Sequence, residues 1–491
     1  MARASARIKA QPAVEPKQEP EPSSPRVAKT AASAKTAANA KAKAAKAKAS
    51  PQKPAPKRKA QKDEDASCDS CAEKDESSDD DDEKPAKRRK TTAAPKSAAA
   101  AKPAAAAKGG KAAKAKPAAD DMPLAARTAV TSLKHAMYIG AHVSGAGGVQ
   151  NAIGNASSIG ANAFALFLKS QRKWASPPLA ADARAQFVSL AASHGYDAAA
   201  HVLPHGSYLV NLAQADGAKA EQAYGCFVDD LARCDALGVR LYNLHPGNTG
   251  GAPRAAACAR IAAQLNRAHA ATAAVVTVLE NMAGAGNVVG TRFEDLRDVI
   301  ALVDDKERVG VCIDTCHAFA AGYDMRTPAA FAATMAAFDD IVGLRYLKAL
   351  HLNDSKAPFD SHRDLHANIG TGFLGLRAFH SVVNYAPLAG LPMVLETPID
   401  RKGPDGKSVE DRQVWADEIK LLESLIGMDA ESDAFAALER ELQDRGAAER
   451  QKIQDQVDKK TAKETKKAAP KKTAAKPRGR KKKEETDDES D

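Results

Sequence analysis

Between residues 137 and 429 the chain repeats one alternation eight times, and that repetition leaves few folds open. Short apolar, β-rich runs occur at 138–143, 163–168, 199–203, 241–244, 275–279, 310–313, 347–350 and 393–395. Each is followed by a helical pattern or a long loop, with amphipathic helical spacing clearest over 181–193, 218–237, 255–270 and 293–303. Runs that stay apolar suit strands buried on both faces, and a strand–helix repeat builds a parallel sheet. Eight such units in about 290 residues predict one α/β domain, a closed (β/α)8 TIM barrel. An open doubly wound sheet is the competing arrangement, but no Gly-x-Gly-x-x-Gly fingerprint follows the first run.

Nine residues with metal-binding side chains recur through the same region: His205, His245, Glu280, Asp314, His317, His351, Asp364, His366 and Glu396. Six of them lie within two residues of the end of strands three to eight, His317 follows three residues after Asp314, and Asp364 with His366 share the loop after strand seven. In a barrel of this kind the site is built from strand ends at one face, so residues far apart in sequence would converge on one basin. Histidines mixed with carboxylates suit Zn²⁺ or Mn²⁺, and nine ligands are too many for one ion. Glu280 and Glu396 directly follow apolar runs, where a buried carboxylate needs a cation or several hydrogen bonds. The pattern is that of a multinuclear metalloenzyme. His142, near the end of the first strand, is a further contact to a ligand or to substrate, and His362 is expected in solvent. His135, His194, His201, His269 and His380 are assigned no chemistry.

Composition bounds the barrel. Residues 1–136 are dominated by Ala, Lys, Pro and Ser and hold too little apolar surface to offset their ordering entropy, so a disordered tail is predicted there. Residues 430–491 show a short helical pattern (Phe435, Leu438, Leu442) and then charged low-complexity sequence. The first segment has 30 basic and 17 acidic residues, the last 17 and 15, and the barrel region 25 and 30. The net +10 is therefore +13 and +2 in the tails against −5 in the barrel, so basicity alone says nothing about the fold's partner. Basic clusters at 57–59, 87–90 and 478–483 read as nuclear import signals or DNA-tethering patches, recognised by an import receptor in the first case. Arg3, Arg7 and Lys9, with no acid before Glu15, permit a mitochondrial leader. Ser77 and Ser78 sit in an acidic run suited to phosphorylation. The seven cysteines form no disulfide framework, and the lone Cys68-x-x-Cys71 lacks a second pair to complete a zinc site. No run approaches a membrane span, and a nuclear location, with a mitochondrial share, is expected.

The ligand-bearing segments carry a resemblance. Tyr138-Ile-Gly-Ala-His-Val-Ser144, Pro204-His205-Gly-Ser-Tyr208-Leu209, Asn243-Leu-His245-Pro-Gly247, Leu279-Glu280-Asn281, the long stretch from Gly310 through Asp314-Thr-Cys-His317 to Asp324, His351-Leu-Asn-Asp354 and Leu395-Glu396-Thr397 resemble the endonuclease IV family of apurinic/apyrimidinic (AP) endonucleases. The resemblance spans residues 137–427 and shares nothing with the tails. It implies three Zn²⁺ per chain, with Mn²⁺ as a substitute. His205, His245 and Glu280 would hold one ion. Glu280, as catalytic bridge, would share a second with Asp314, His351 and Glu396, and His317, Asp364 and His366 would hold the third. It further implies that Arg172, Tyr208 and Leu209 enter duplex DNA at the lesion, with His142 nearby. Gly206 and Asn248 depart from the family's usual Asp and Ser, and the loop around Asp364 keeps only the Asp-x-His spacing.

By that resemblance the chain would be a monomeric base-excision repair enzyme acting on double-stranded DNA. It would hydrolyse the phosphodiester 5′ to an abasic site, leaving a 3′-hydroxyl and a 5′-deoxyribose phosphate, and would also clear blocked 3′ ends. Two other classes compete. A divalent-metal sugar isomerase or epimerase uses the same barrel and strand-end ligands but needs fewer metals and a closed pocket. An architectural chromatin protein would act through the basic tails.

Overall fold

The structure, a computed structural model, describes residues 122–468. The import clusters, the Cys68-x-x-Cys71 pair, the serine run and the mitochondrial leader lie outside the described residues. Seven strands form one parallel sheet: β1 (Tyr138–His142), β2 (Ala163–Ala165), β3 (Leu241–Leu244), β4 (Val276–Glu280), β5 (Val309–Asp314), β6 (Leu347–Leu352) and β9 (Pro392–Leu395). Their order is β2-β1-β9-β6-β5-β4-β3. Two small hairpins stand outside it: β7 (Asp354–Ser355) with β8 (His366–Ala367), and β10 (Asp400–Lys402) with β11 (Ser408–Glu410). The second hairpin lies in the polar stretch of residues 399–413.

The staves differ from expectation in one place. Residues 199–203, read as the third strand, are mostly the short helix Ala198–His201, whose first amides are capped by the Asp197 carboxylate at 3.0 and 3.1 Å. An N-cap Asp followed by four helix-tolerant residues outweighs a weak β preference. The chain then runs extended, and single bridges pair Val202 with Phe164 and His205 with both Phe167 and Asn243. That segment joins β2 to β3 and closes the barrel.

Each position of the closed sheet contributes inward. Ala165, Leu203, Leu241, Val278, Cys312, Ala349 and Val394 form a separate apolar cluster inside the barrel, one from each of seven staves. The eighth, β1, presents Gly140, where a Cβ would fall 1.6 Å from the Ala163 carbonyl oxygen. Only glycine lets β1 approach β2 this closely. The outward faces join the helices in one large core that includes Phe164, Phe187, Phe227, Phe293, Phe319, Phe338 and Phe379.

The folded domain begins earlier than composition suggests. Leu124 N donates to Ser158 O (2.7 Å), Arg127 Nε to Asn162 Oδ1 (2.7 Å), and Thr128 Oγ1 to Glu423 Oε2 (2.6 Å), with the Arg127 guanidinium over the Tyr196 ring. The boundary expected at residue 136 is thus too late, because a few specific polar contacts order a segment with little apolar content. At the other end, the short helical pattern after residue 430 is one helix of 36 residues, Asp433–Ala468. Among the described residues, five cysteines are free and buried, and no helix is long and apolar enough to cross a membrane.

Candidate metal centre

All nine ligand candidates meet at the C-terminal mouth of the barrel. Glu280 ends β4, Asp314 ends β5, His351 is the penultimate residue of β6, and His245 and Glu396 follow β3 and β9 directly. His205 ends the extended segment, His317 lies in the helix Thr315–Ala320, and Asp364 and His366 come from the hairpin of β7 and β8. Among the described residues four groups bring one ligand atom per residue within 4.8 Å of the others: His205/His245/Glu280, Glu280/Asp314/His351/Glu396 and His317/Asp364/His366, all made of the nine candidates, and Asp314/Cys316/His366, which adds a cysteine.

Glu280 is the hub. Its carboxylate is fully buried, with Oε2 turned to His205 Nε2 (3.3 Å) and His245 Nε2 (3.6 Å). Oε1 faces His351 Nδ1 (3.0 Å) and His317 Nδ1 (3.4 Å). Glu396 links His351 Nδ1 (3.3 Å) to His142 Nδ1 (3.2 Å), which makes His142 a partner of a ligand candidate. Asp314 does two jobs. One oxygen caps the helix beginning at Thr315 by accepting from His317 N (2.7 Å), and the other faces the ligand group.

The ring orientations fit cations. His317 Nδ1 lies 2.9 Å from the Asn281 carbonyl and His205 Nδ1 2.7 Å from the Gly206 carbonyl, contacts that assign the proton to Nδ1 and direct Nε2 inward. His317 Nε2 then meets Asp364 Oδ2 at 3.1 Å, and His366 Nε2 meets Asp364 Oδ1 at 3.2 Å. Both Nε2 atoms are buried without a hydrogen-bond partner. Two acceptors aimed at one another in a buried site need a positive charge between them, which a divalent ion supplies. Without ions, protons take that place. Burial alone would lower His351 and His366, but Glu280 and Glu396 raise the first to about 10, and Asp364 and Asp314 raise the second to about 9. Burial lowers His245 to about 4, so it stays neutral and ready to bind. Cys316 also lies near Asp314 and His366, but burial holds its thiol well above the ordinary range, and Sγ sits 3.6 Å from Leu365 O.

Three buried asparagines brace this set, and sequence reading assigned them no role. Asn243 Nδ2 donates to Glu280 Oε2 (2.5 Å), and Asn353 Nδ2 to Asp314 Oδ2 (2.6 Å). Asn353 Oδ1 accepts from Glu396 N (3.0 Å), while Asn281 Oδ1 accepts from Asp314 N (2.7 Å). Each lies within two residues of a ligand candidate, and an amide inside an apolar strand end was the available signal.

The rim carries the other candidates. Tyr208 and Leu209 are exposed, and the Tyr208 ring packs against His205, His245 and Phe167 at centroid distances of 5.3, 5.5 and 5.6 Å. Arg172 is exposed on the neighbouring loop, which is fixed from below: Lys169 Nζ donates to Cys226 O (2.7 Å) and Asp229 Oδ2 (2.8 Å) and pairs with Asp230 (3.3 Å). Ser207 Oγ donates to Gln171 O (2.8 Å), tying that loop to the one holding Tyr208. His362, expected in solvent, is half-exposed with Nδ1 3.2 Å from Ala283 O.

Residues 153–425 match the family described as a xylose isomerase-like TIM barrel. The chain is 46% identical over 303 residues to apurinic-apyrimidinic endonuclease 1 of Saccharomyces cerevisiae, covering 62% of this chain and 79% of that protein. It is 47% identical over 289 residues to a probable endonuclease 4 of Campylobacter curvus, covering 59% and 98%. Among solved structures, endonuclease IV from Thermus thermophilus matches with a TM-score of 0.50 and 32% identity, covering 59% of this chain and 99% of that one.

Proposed function

The chain belongs to the endonuclease IV family of AP endonucleases, and from that premise we propose a DNA-repair hydrolase acting at abasic sites. It cleaves the phosphodiester bond on the 5′ side of the lesion, leaving a 3′-hydroxyl and a 5′-deoxyribose phosphate, and removes blocking groups from 3′ ends. The observation that carries this reading is the meeting of three ligand groups at one barrel mouth, two of them sharing the carboxylate of Glu280, beneath an exposed Tyr208–Leu209 rim.

Three Zn²⁺ are the cofactors we assign, with Mn²⁺ able to substitute. His205, His245 and Glu280 would hold one, Glu280, Asp314, His351 and Glu396 the second, and His317, Asp364 and His366 the third. When bound, such ions acidify a water, neutralise phosphate charge and stabilise the departing alkoxide. The chain's own residues set the geometry. Glu280 offers one oxygen to each of two groups and so fixes their separation, with Asn243 holding its orientation. Asn353 locks Asp314 and the backbone of Glu396 together.

Tyr208, Leu209 and Arg172 fill the space beside an extruded abasic nucleotide and keep water from it. Such a nucleotide has no base to unstack, so its extrusion costs less than that of an intact one. Residues 57–59, 87–90 and 478–483 support import into the nucleus, Arg3, Arg7 and Lys9 a mitochondrial share, and the enzyme acts as a monomer on duplex DNA. The sugar-isomerase reading loses ground because relatives near 46% identity across the barrel carry endonuclease names.

The test uses a duplex oligonucleotide with one abasic analogue, incubated with full-length protein and with Glu280→Gln while zinc is measured. Incision 5′ to the analogue by the wild type, lost in the variant, with three zinc per chain, is the expected result. Zinc-replete protein that leaves the strand intact overturns it.

A further inference from the structure

The helix Asp433–Ala468 lies beyond the residues matched by the family, yet it is docked on the loop that follows a metal-ligand candidate. Residues 368–375 continue directly from β8, which carries His366, and Asp364 lies two residues before it. The inward side of this loop is held by Asp354. Its buried carboxylate accepts from the amides of Ser355 (2.7 Å), Gly372 (2.9 Å), Leu374 (3.0 Å) and Gly375 (3.3 Å). Its outward side is held by the helix. Gln443 Nε2 donates to Gly370 O (2.7 Å) and Gly372 O (3.1 Å), and Arg450 Nη1 donates to Thr371 O (2.6 Å). Three consecutive carbonyls are thus taken by two side chains of one helix, and Arg450 Nη2 also bonds Gln443 O (2.9 Å), which couples the two.

Packing follows the same line. Leu442 is buried against Gly370, Phe435 is buried against His380 and Arg377, and Gly446 faces Thr371 so closely that a Cβ there would fall 1.9 Å from its carbonyl oxygen. Glycine inside a helix is unfavourable by intrinsic preference, so its presence where the helix backbone comes this near the Thr371 carbonyl marks a close docking.

We propose that this C-terminal helix is a positioning element for the third ligand group, with Gln443, Gly446 and Arg450 clamping the loop so that Asp364 and His366 are held in place opposite His317. The inference rests on the metal reading above. The cost of loosening outer contacts of a metal site is generally a 10- to 100-fold loss of metal affinity.

The full-length chain discriminates. Gly446→Ala should strengthen the isolated helix, so a merely appended helix would gain or keep stability. A docked clamp would be pushed off its loop. Arg450→Ala removes the hold on Thr371 without adding bulk, and Arg445→Ala, exposed on the same helix and bonded to Glu441, serves as the control. Hydrogen exchange of amides 366–375 is measured on metal-free protein, and release of bound zinc to a chelator on loaded protein. The expected result is faster exchange at 366–375 in Gly446→Ala and Arg450→Ala. One of three zinc ions should leave about 10-fold faster, with the other two and Arg445→Ala unchanged. Exchange equal to wild type in both variants overturns the clamp. Faster exchange with unaltered zinc release overturns its positioning role. A wild-type chain that binds no zinc overturns the metal reading itself, and the exchange data on metal-free protein still decide whether the helix secures the loop.

Discussion

The floor of the barrel mouth and its rim solve opposite problems. On the floor, Glu280, Asp314 and His351 are buried, and neighbouring strand ends fix the acids: Asn243 holds the Glu280 carboxylate, Asn353 the Asp314 carboxylate, and Asn281 the Asp314 backbone amide. On the rim, Tyr208, Leu209 and Arg172 face solvent, and what fixes them lies below, in the Lys169 pairs and the Ser207–Gln171 bond. Strand ends tolerate buried charge because the sheet supplies rigid, matched partners. Loops can present apolar side chains to a macromolecule only if distant contacts hold their backbone. On the function proposed above, the floor would do the chemistry and the rim the recognition, and substitutions should separate the two.

The largest effect belongs to the floor. Glu280→Gln removes the charge shared by two adjacent ligand groups and should lower kcat/KM on an abasic duplex by about 1,000-fold or more, equivalent to about 4 kcal/mol. Binding of the same duplex, measured by anisotropy, should change little. A variant that loses affinity and turnover alike would break the division.

Lys169→Met tests the rim from beneath. Breaking a buried ion pair by removing one partner costs about 3–5 kcal/mol. Burial raises Asp230 to about 6, and without Lys169 it would be driven higher still, so protonation relieves part of that cost in acid. Destabilisation should accordingly be greater at pH 8 than at pH 5 by thermal unfolding. In turnover, KM should rise while kcat stays near wild type, because only the loop carrying Arg172 is freed. Equal loss in kcat would show that the loop reaches the floor.

How much of this was legible divides along the same line. Floor ligands announce themselves, since a carboxylate or imidazole at the end of an apolar run has little reason to be there without a partner. Asp314 and His317 were readable for that reason. Their braces were not, because Asn243, Asn281 and Asn353 are identified only when short strands are set side by side in register. The closure of the barrel was half legible. Residues 202–203 are extended, as expected for the end of the third strand, but the Asp197 cap turned the preceding residues into a helix. Least legible were the Arg127 contacts and the docking of Asp433–Ala468, which depend on single side chains meeting backbone carbonyls far away in sequence.

Asn353→Ala sharpens the view of the floor as a braced unit. It leaves all nine ligand candidates in place but removes the bonds to Asp314 and to the Glu396 amide. Metal affinity should fall about 10- to 100-fold, read by competition with a chelator, and activity should return with excess zinc. Loss that added zinc cannot restore would mean that Asn353 shapes the fold rather than the ligands.

The smallest effect, and one of opposite sign, lies where the floor meets the loop after His366. Glu418 accepts from Ile369 N (2.7 Å) and Asn368 Nδ2 (3.1 Å) in that loop, and bonds Thr397 beside Glu396. Burial raises its carboxyl from 4.5 to about 7, despite those donors. A folded pKa above the unfolded one means that the native state holds the proton longer. The contribution is full below about pH 4.5 and is lost as pH rises through 7. Gln keeps an acceptor for Ile369 and Asn368, offers an N–H toward Thr397, and carries no charge. Glu418→Gln should therefore flatten the fall in Tm between pH 5 and 8 and stabilise the protein at pH 8 by about 1–3 kcal/mol. An unchanged slope would place the titration elsewhere. A destabilised variant at pH 8 would show that the ionised carboxylate, with its three donors, is the form the seam requires.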